Sequence, residues 1–128
     1  MAYKGGELAL ALQRERAGAV VNDPARYLGG DRFRLLATCP PAEEELRWEV
    51  VVFQGGEAFF PLSGGQRLRC GNAVPLPGAF RLTGSGTATI CLIAGADLPS
   101  RGSLARQGQT ALPADATVCV ALEGGVGE

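Results

Sequence analysis

The chain has 128 residues with 12 basic and 13 acidic side chains, so its formal charge is −1, and 46% of its residues are hydrophobic. This composition is typical of one globular domain that is long enough to bury a core, and the balanced charge argues against nucleic-acid binding. Histidine is absent, which removes the commonest general base and a frequent metal ligand. We therefore expect no enzyme, no catalytic or metal-binding residues and no cofactor.

The N-terminal part alternates in hydrophobicity with a period of two. Residues 7–13 place three leucines on one face, which predicts a half-buried strand, although the same residues also favour a helix that extends to Arg16. A turn at residues 22–24 is followed by residues 32–38, where Phe33 alternates with arginines. This second segment predicts a strand with one solvated face.

The middle of the chain predicts a hairpin followed by a short strand. Residues 48–53 combine Trp48 with valines, a composition typical of a core strand. Residues 54–57, with the sequence Gln-Gly-Gly-Glu, predict a hairpin turn into a strand over residues 58–62. Residues 66–70 predict another short strand.

Two adjacent aromatic residues follow that hairpin turn. Phe59 and Phe60 have to point to opposite faces of a strand, so one of them is expected at the surface. A single surface aromatic is ordinary, but it can also mark a contact patch. Together with the arginines of the next strand, the pair predicts an interaction surface at Phe59, Phe60, Arg67 and Arg69.

Residues 62–67, with the sequence Leu-Ser-Gly-Gly-Gln-Arg, match the signature of ABC-type ATPases letter for letter. In those enzymes the signature begins a helix, whereas Gly71, Pro75 and Pro77 prevent a helix here. No phosphate-binding loop ending in lysine is present, since Lys4 is the only lysine. We therefore interpret the match as a Gly-Gly hairpin turn.

The C-terminal part of the chain predicts three more strands, over residues 78–83, 87–93 and 116–122. Residues 100–106 fit either one helical turn or a long loop. We expect a single domain over residues 1–128, with its core in residues 7–122 and a flexible tail in residues 123–128.

Seven to nine short strands joined by Gly- and Pro-rich turns predict an all-β fold, an antiparallel Ig-like β-sandwich. The inner faces of its two sheets are expected to hold thirteen apolar side chains. These are Leu8, Leu10, Phe33, Leu35, Trp48, Val50, Val52, Phe80, Leu82, Ile90, Leu92, Val118 and Val120.

Four cysteines, Cys39, Cys70, Cys91 and Cys119, are too far apart in sequence for a Cys-x-x-Cys metal or redox site. They are either buried thiols or a disulfide framework formed in an oxidising compartment. Four cysteines allow three connectivities. The predicted strand order favours Cys91 with Cys119, on neighbouring strands, and Cys39 with Cys70, at strand ends.

Four segments occur in an order that resembles one known pattern. They are residues 30–35, 48–61, 74–82 and 88–92, and the resemblance covers residues 4–122. The pattern resembles the β-sandwich domain of unknown function that follows the membrane span in bacterial anti-sigma-factor-like proteins. The resemblance implies a periplasmic sensory or interaction domain without catalytic residues.

We therefore expect a non-catalytic domain that binds a protein or peptide of the cell envelope, with no nucleic-acid partner. Its expected location is the periplasm, as part of a regulator anchored through a membrane span outside this sequence; a structural scaffold or adhesion module of the envelope is the alternative function. Because no signal peptide precedes the first strand, a cytoplasmic location is the alternative. Addition of a partner strand to a sheet edge is the expected mode of binding.

Overall fold

A computed structural model of the chain describes residues 8–16, 19–21, 26–27, 30–39, 46–63, 67–68, 71–82, 86–95, 98–113 and 117–124. These residues form eleven strands, one helix and one 3-10 turn. The elements are β1 (Ala9–Arg16), β2 (Ala19–Val21), β3 (Arg26–Tyr27), β4 (Arg32–Thr38), β5 (Leu46–Gln54), β6 (Glu57–Phe59), β7 (Arg67–Leu68), β8 (Val74–Pro75), β9 (Phe80–Arg81), β10 (Ala88–Gly95), α1 (Arg101–Gln107), the 3-10 turn (Gly108–Ala111) and β11 (Thr117–Gly124).

The strands form two sheets, as predicted for an all-β sandwich. In the first sheet the order is β2-β1-β4-β8, and β9 also pairs with β4. In the second sheet the order is β3-β11-β10-β5-β6, and β7 also pairs with β5. All pairs are antiparallel except β3 with β11. The segment that also favoured a helix is strand β1, because its alternating leucines pack against the core between the sheets.

The core between the sheets confirms the predicted inner faces. All thirteen predicted side chains belong to this cluster, either fully buried or packed at its margin. Trp48 and Phe33 are among its largest buried members, and the rings of Phe33 and Phe80 are stacked with centroids 5.7 Å apart. Burying each large apolar side chain contributes about 1.5–3 kcal/mol to folding.

The outer face of the second sheet carries a second apolar cluster, which the sequence did not predict. Val51, Cys91 and Ile93 point outward there and are covered by Leu104 of α1. Ser100 caps the start of the helix, because its side chain accepts a hydrogen bond of 3.0 Å from the Ser103 backbone N–H. Gly108, with a φ of 62°, caps its end. Strand β10 is therefore buried on both faces.

The predicted turn between β5 and β6 is confirmed. Gln54 is paired with Glu57, and the glycines between them have φ values of 63° and 79°. Left-handed φ values at both central positions are those of a type I′ hairpin turn, which glycine adopts without steric cost.

Three features differ from the predictions. First, the described residues form more strands than the seven to nine that were predicted. Two-residue strands such as β3 and β8 form only by pairing with a neighbouring strand. Second, β6 and β7 both pair with β5 on the same side and not with each other, as a hairpin between them would require. The predicted turn residues 64–66 themselves lie outside the described residues. Third, β11 continues through Glu123 and Gly124, which pair with β3, whereas a flexible tail was expected from residue 123.

The predicted disulfide between Cys91 and Cys119 is confirmed. The two residues are directly opposed on β10 and β11, with their Cα atoms 4.1 Å apart. Cys39 is also disulfide-bonded, at the end of β4. Its predicted partner, Cys70, lies outside the described residues, so the pairing of Cys39 with Cys70 stays a prediction.

Candidate interaction edge

Strand β1 has one edge that is only partly covered. It pairs with β4 from Ala9 to Glu15, whereas β2 pairs with it only from Arg14 to Arg16. Within the described residues no strand lies on the outer side of Ala9–Gln13. We call this stretch the β1 edge.

The alternation of hydrogen bonds along the first sheet shows which backbone groups face this edge. The Leu35 carbonyl accepts a 2.9 Å hydrogen bond from the Leu76 N–H, so the backbone groups of Leu35 point away from β1. Its partner on β1 is Leu12, whose backbone groups therefore also point away from β4. By the same alternation, the N–H and C=O groups of Leu10 and Leu12 point to the open side.

The hairpin that joins β1 to β2 gives the same result independently. Arg16 is paired with Ala19, the first residue of β2, and only two residues separate them along the chain. The pair that flanks a two-residue turn is hydrogen-bonded, so Arg16 points its backbone groups toward β2. Because this direction alternates from one residue to the next, the backbone groups of Leu12 and Leu10 again point to the open side.

The side chains of the β1 edge lack the features that usually prevent a sheet edge from pairing with another strand. Leu10 and Leu12 are half-buried and pack against the core, whereas Ala9 and Ala11 are exposed on the opposite face. Natural sheets usually protect an open edge with charged residues, proline or a bulge. Ala9–Gln13 contains neither a charged residue nor proline, and it pairs with β4 without a bulge.

Charged groups at the C-terminal end of β1 join this strand to the start of β4. Arg16 donates two hydrogen bonds to Asp31, from Nε to Oδ1 at 2.8 Å and from Nη2 to Oδ2 at 2.9 Å. Asp31 is only 2% exposed, and the guanidinium of Arg14, a residue that is also 2% exposed, lies 5.5 Å from the Phe33 ring centroid. Charge-assisted, bidentate pairs of this kind are stronger and more specific in geometry than neutral hydrogen bonds.

The residues predicted as an interaction surface are distributed along the opposite sheet edge. Phe59 is 37% exposed and is paired with Val52, whereas Arg67 is exposed and paired with Arg47. Their partners are five positions apart along β5, a distance of about 17 Å along a strand. Phe60 packs against the second apolar cluster, and Arg69 lies outside the described residues. An interaction at this surface stays a prediction.

Phe60 takes part in a structural contact that the sequence did not predict. The Arg101 guanidinium lies 4.8 Å from its ring centroid and donates to both Glu49 carboxylate oxygens, at 3.0 and 3.1 Å. Arg101 also donates to the Leu62 carbonyl at 2.9 Å. We call this group the Arg101 latch, because it attaches α1 to the second sheet.

A polar cluster lies at one end of the sandwich around the buried Tyr27. Its hydroxyl donates to the Gly86 carbonyl at 2.9 Å and accepts from the Gln54 amide at 2.5 Å. Burial raises the pKa of Tyr27 above its usual 10.0, the bond from Gln54 partly opposes this, and the Glu123 carboxylate raises the pKa further. The raised pKa favours the protonated phenol, which is the form that donates to Gly86.

Comparison with models of protein families, with curated proteins and with solved structures found no significant match for this chain. The resemblance to anti-sigma-factor-like domains therefore depends on the order of its sequence motifs alone. No helix among the described residues is long and apolar enough to cross a membrane.

Proposed function

We propose that this chain is a non-catalytic protein-interaction domain that binds an extended segment of an envelope protein as an additional strand along the β1 edge. The single observation that supports this function is the set of outward-facing backbone groups at Leu10 and Leu12, on a stretch without charge or proline. In strand addition, the main-chain hydrogen bonds supply affinity, and the alternate side chains supply specificity.

We further propose that the domain works outside the cytoplasm, in the periplasm, as the sensory part of a membrane-anchored, anti-sigma-factor-like regulator. The disulfide between Cys91 and Cys119 and the bonded state of Cys39 support an oxidising compartment. The order of the sequence motifs supports the regulator. Partner binding at β1 would then alter the signalling state of the parent protein.

The test uses a displayed library of random, extended peptides as the probe. Peptides selected on the wild-type protein are expected to lose binding to the Leu10→Pro variant, because proline removes the Leu10 N–H, which faces the open side. The matched control is Leu10→Ala, which loses a similar amount of side-chain packing but keeps that N–H. Hydrogen exchange should show slowed exchange at the Leu10 and Leu12 amides when a peptide is bound.

Equal binding to the wild type, Leu10→Ala and Leu10→Pro would show that the selected peptides bind elsewhere, and it would overturn the proposed function of the β1 edge. A library that yields no binder at all would count against it in the same way.

A further inference from the structure

The β1 edge has a sequence that is complementary to itself. We propose that a second copy of this chain pairs with it, antiparallel and about a two-fold axis at Leu10. This inference rests on the proposed function, because it names the partner strand for the same edge. Three observations carry it: the direction of the backbone groups, the space left by β2 and the distribution of charge.

The direction of the backbone groups restricts the register. In an antiparallel pair, residues with outward-facing groups have to oppose one another, so even-numbered residues of one β1 pair with even-numbered residues of the other. A two-fold axis at Leu10 places Leu10 opposite Leu10 and Ala9 opposite Ala11. When the paired strand extends by one residue to include Leu8, Leu8 lies opposite Leu12. Each leucine pair then exchanges two backbone hydrogen bonds.

The position of β2 excludes registers whose axis lies further along β1. Of the registers that remain, the axis at Leu10 pairs the longest stretch of described residues. Because β2 occupies the edge from Arg14 onward, a partner strand has to lie opposite residues before Arg14. With the axis at Leu10, residues 8–12 of both copies are paired and β2 keeps its place. An axis at Ala11 also obeys the alternation, but it brings Leu8 of the second copy opposite Arg14, where β2 already lies.

Charge and burial favour the same arrangement. Residues 8–12 carry no charge, so the pairing brings no like charges together. Leu8, Leu10 and Leu12 pack at the margin of the core on one face of β1. Because directly opposed residues point to the same face of a sheet, the leucines of the two copies would form one row that joins the two cores. Only a short stretch is paired, so we expect a dimer that dissociates on dilution.

The test is disulfide trapping in the full chain with its native disulfides intact. Ala9 opposes Ala11 of the second copy, so a mixture of the Ala9→Cys and Ala11→Cys variants should give a mixed disulfide dimer under mild oxidation. Each variant alone should give much less, because its cysteine faces alanine. Mass spectrometry of non-reduced peptides identifies the bond, and sedimentation measures dimerisation of the wild type.

Trapping of Ala11→Cys with itself in preference to the mixture would overturn the register, because it indicates an axis at Ala11. A wild-type chain that stays monomeric at high concentration, with no trapping in the mixture, would overturn the dimer. If Leu10→Pro still abolished peptide binding in that case, the proposed function would stand with a different partner. If it did not, both would fail.

Discussion

The two sheets of the sandwich differ in how completely they are covered. Strand β10, at the centre of the second sheet, is buried between the main core and the cluster under α1, and it is cross-linked to β11. The first sheet packs only its inner face against the core, and part of β1 has no neighbour among the described strands. We therefore expect the second sheet to contribute more to the stability of the fold than the first sheet.

The largest expected effect is a core truncation in the second sheet. Leu92→Ala removes a side chain that is 0% exposed at the centre of β10, and it should lower the free energy of unfolding by about 2–5 kcal/mol. Leu10→Ala, at the half-buried margin of the core, should cost clearly less. Urea unfolding of both variants checks the difference, and equal losses would contradict the division of roles between the sheets.

The next effect concerns the cross-link in the same sheet. Replacing Cys91 and Cys119 together by alanine removes a bridge across 28 residues of sequence, which should cost about 2–4 kcal/mol. Replacing both residues avoids leaving one unpaired thiol. Urea unfolding without reductant measures the loss. An unchanged midpoint would show that packing alone stabilises this pair of strands.

A smaller and more local effect is expected from the Arg101 latch. Arg101→Ala leaves the buried Glu49 carboxylate without the guanidinium that donates to it, at an expected cost of about 1–3 kcal/mol because Arg101 is partly solvated. Hydrogen exchange should become faster at the Leu104 amide in α1 and stay unchanged in β10. Arg106→Ala, an exposed arginine on the same helix, is the control and should change neither.

The smallest effect is a dependence on pH above neutrality. Because the pKa of folded Tyr27 is raised, the folded state keeps its phenol proton above pH 10.0 while the unfolded state loses it. The contribution of Tyr27 to stability is therefore complete below pH 10.0 and is lost as the pH rises toward the folded value. The chain has 2 tyrosines, so the phenolate absorbance of the wild type minus that of Tyr27→Phe isolates this titration. A difference curve centred below pH 10.0 would contradict the assignment.

The inner core could be predicted from the sequence because strand alternation assigns a side chain to one face without knowledge of its neighbours. Phe33 and Ile90 are examples, and the Gly55-Gly56 turn is equally local. The pairing of Cys91 with Cys119 followed from the expected adjacency of two strands, and the structure confirms it.

Features that depend on distant parts of the chain were not predictable. The bond from Arg16 to Asp31 and the Arg101 latch each join residues that are far apart in the sequence, and no local pattern marks them. The outer cluster requires that α1 lies over Cys91, whereas the sequence left a turn or a loop as alternatives there. Binding at a sheet edge was expected, but only the strand order shows that part of β1 has no neighbour among the described strands.

The hairpins have a consequence for the order in which the chain folds. Each sheet contains one pairing between strands that are two residues apart, β1 with β2 and β5 with β6. Hairpins form within about 1–10 μs, whereas pairing of Gln54 with Ala88 first has to close a long loop. We therefore expect β6 to occupy one side of β5 before β10 arrives, and a Gly56→Ala variant to slow refolding more than it accelerates unfolding. Strand β10, which becomes buried on both faces, can then pair with only one edge of β5, because β6 already occupies the other edge. This limits the number of incorrect pairings.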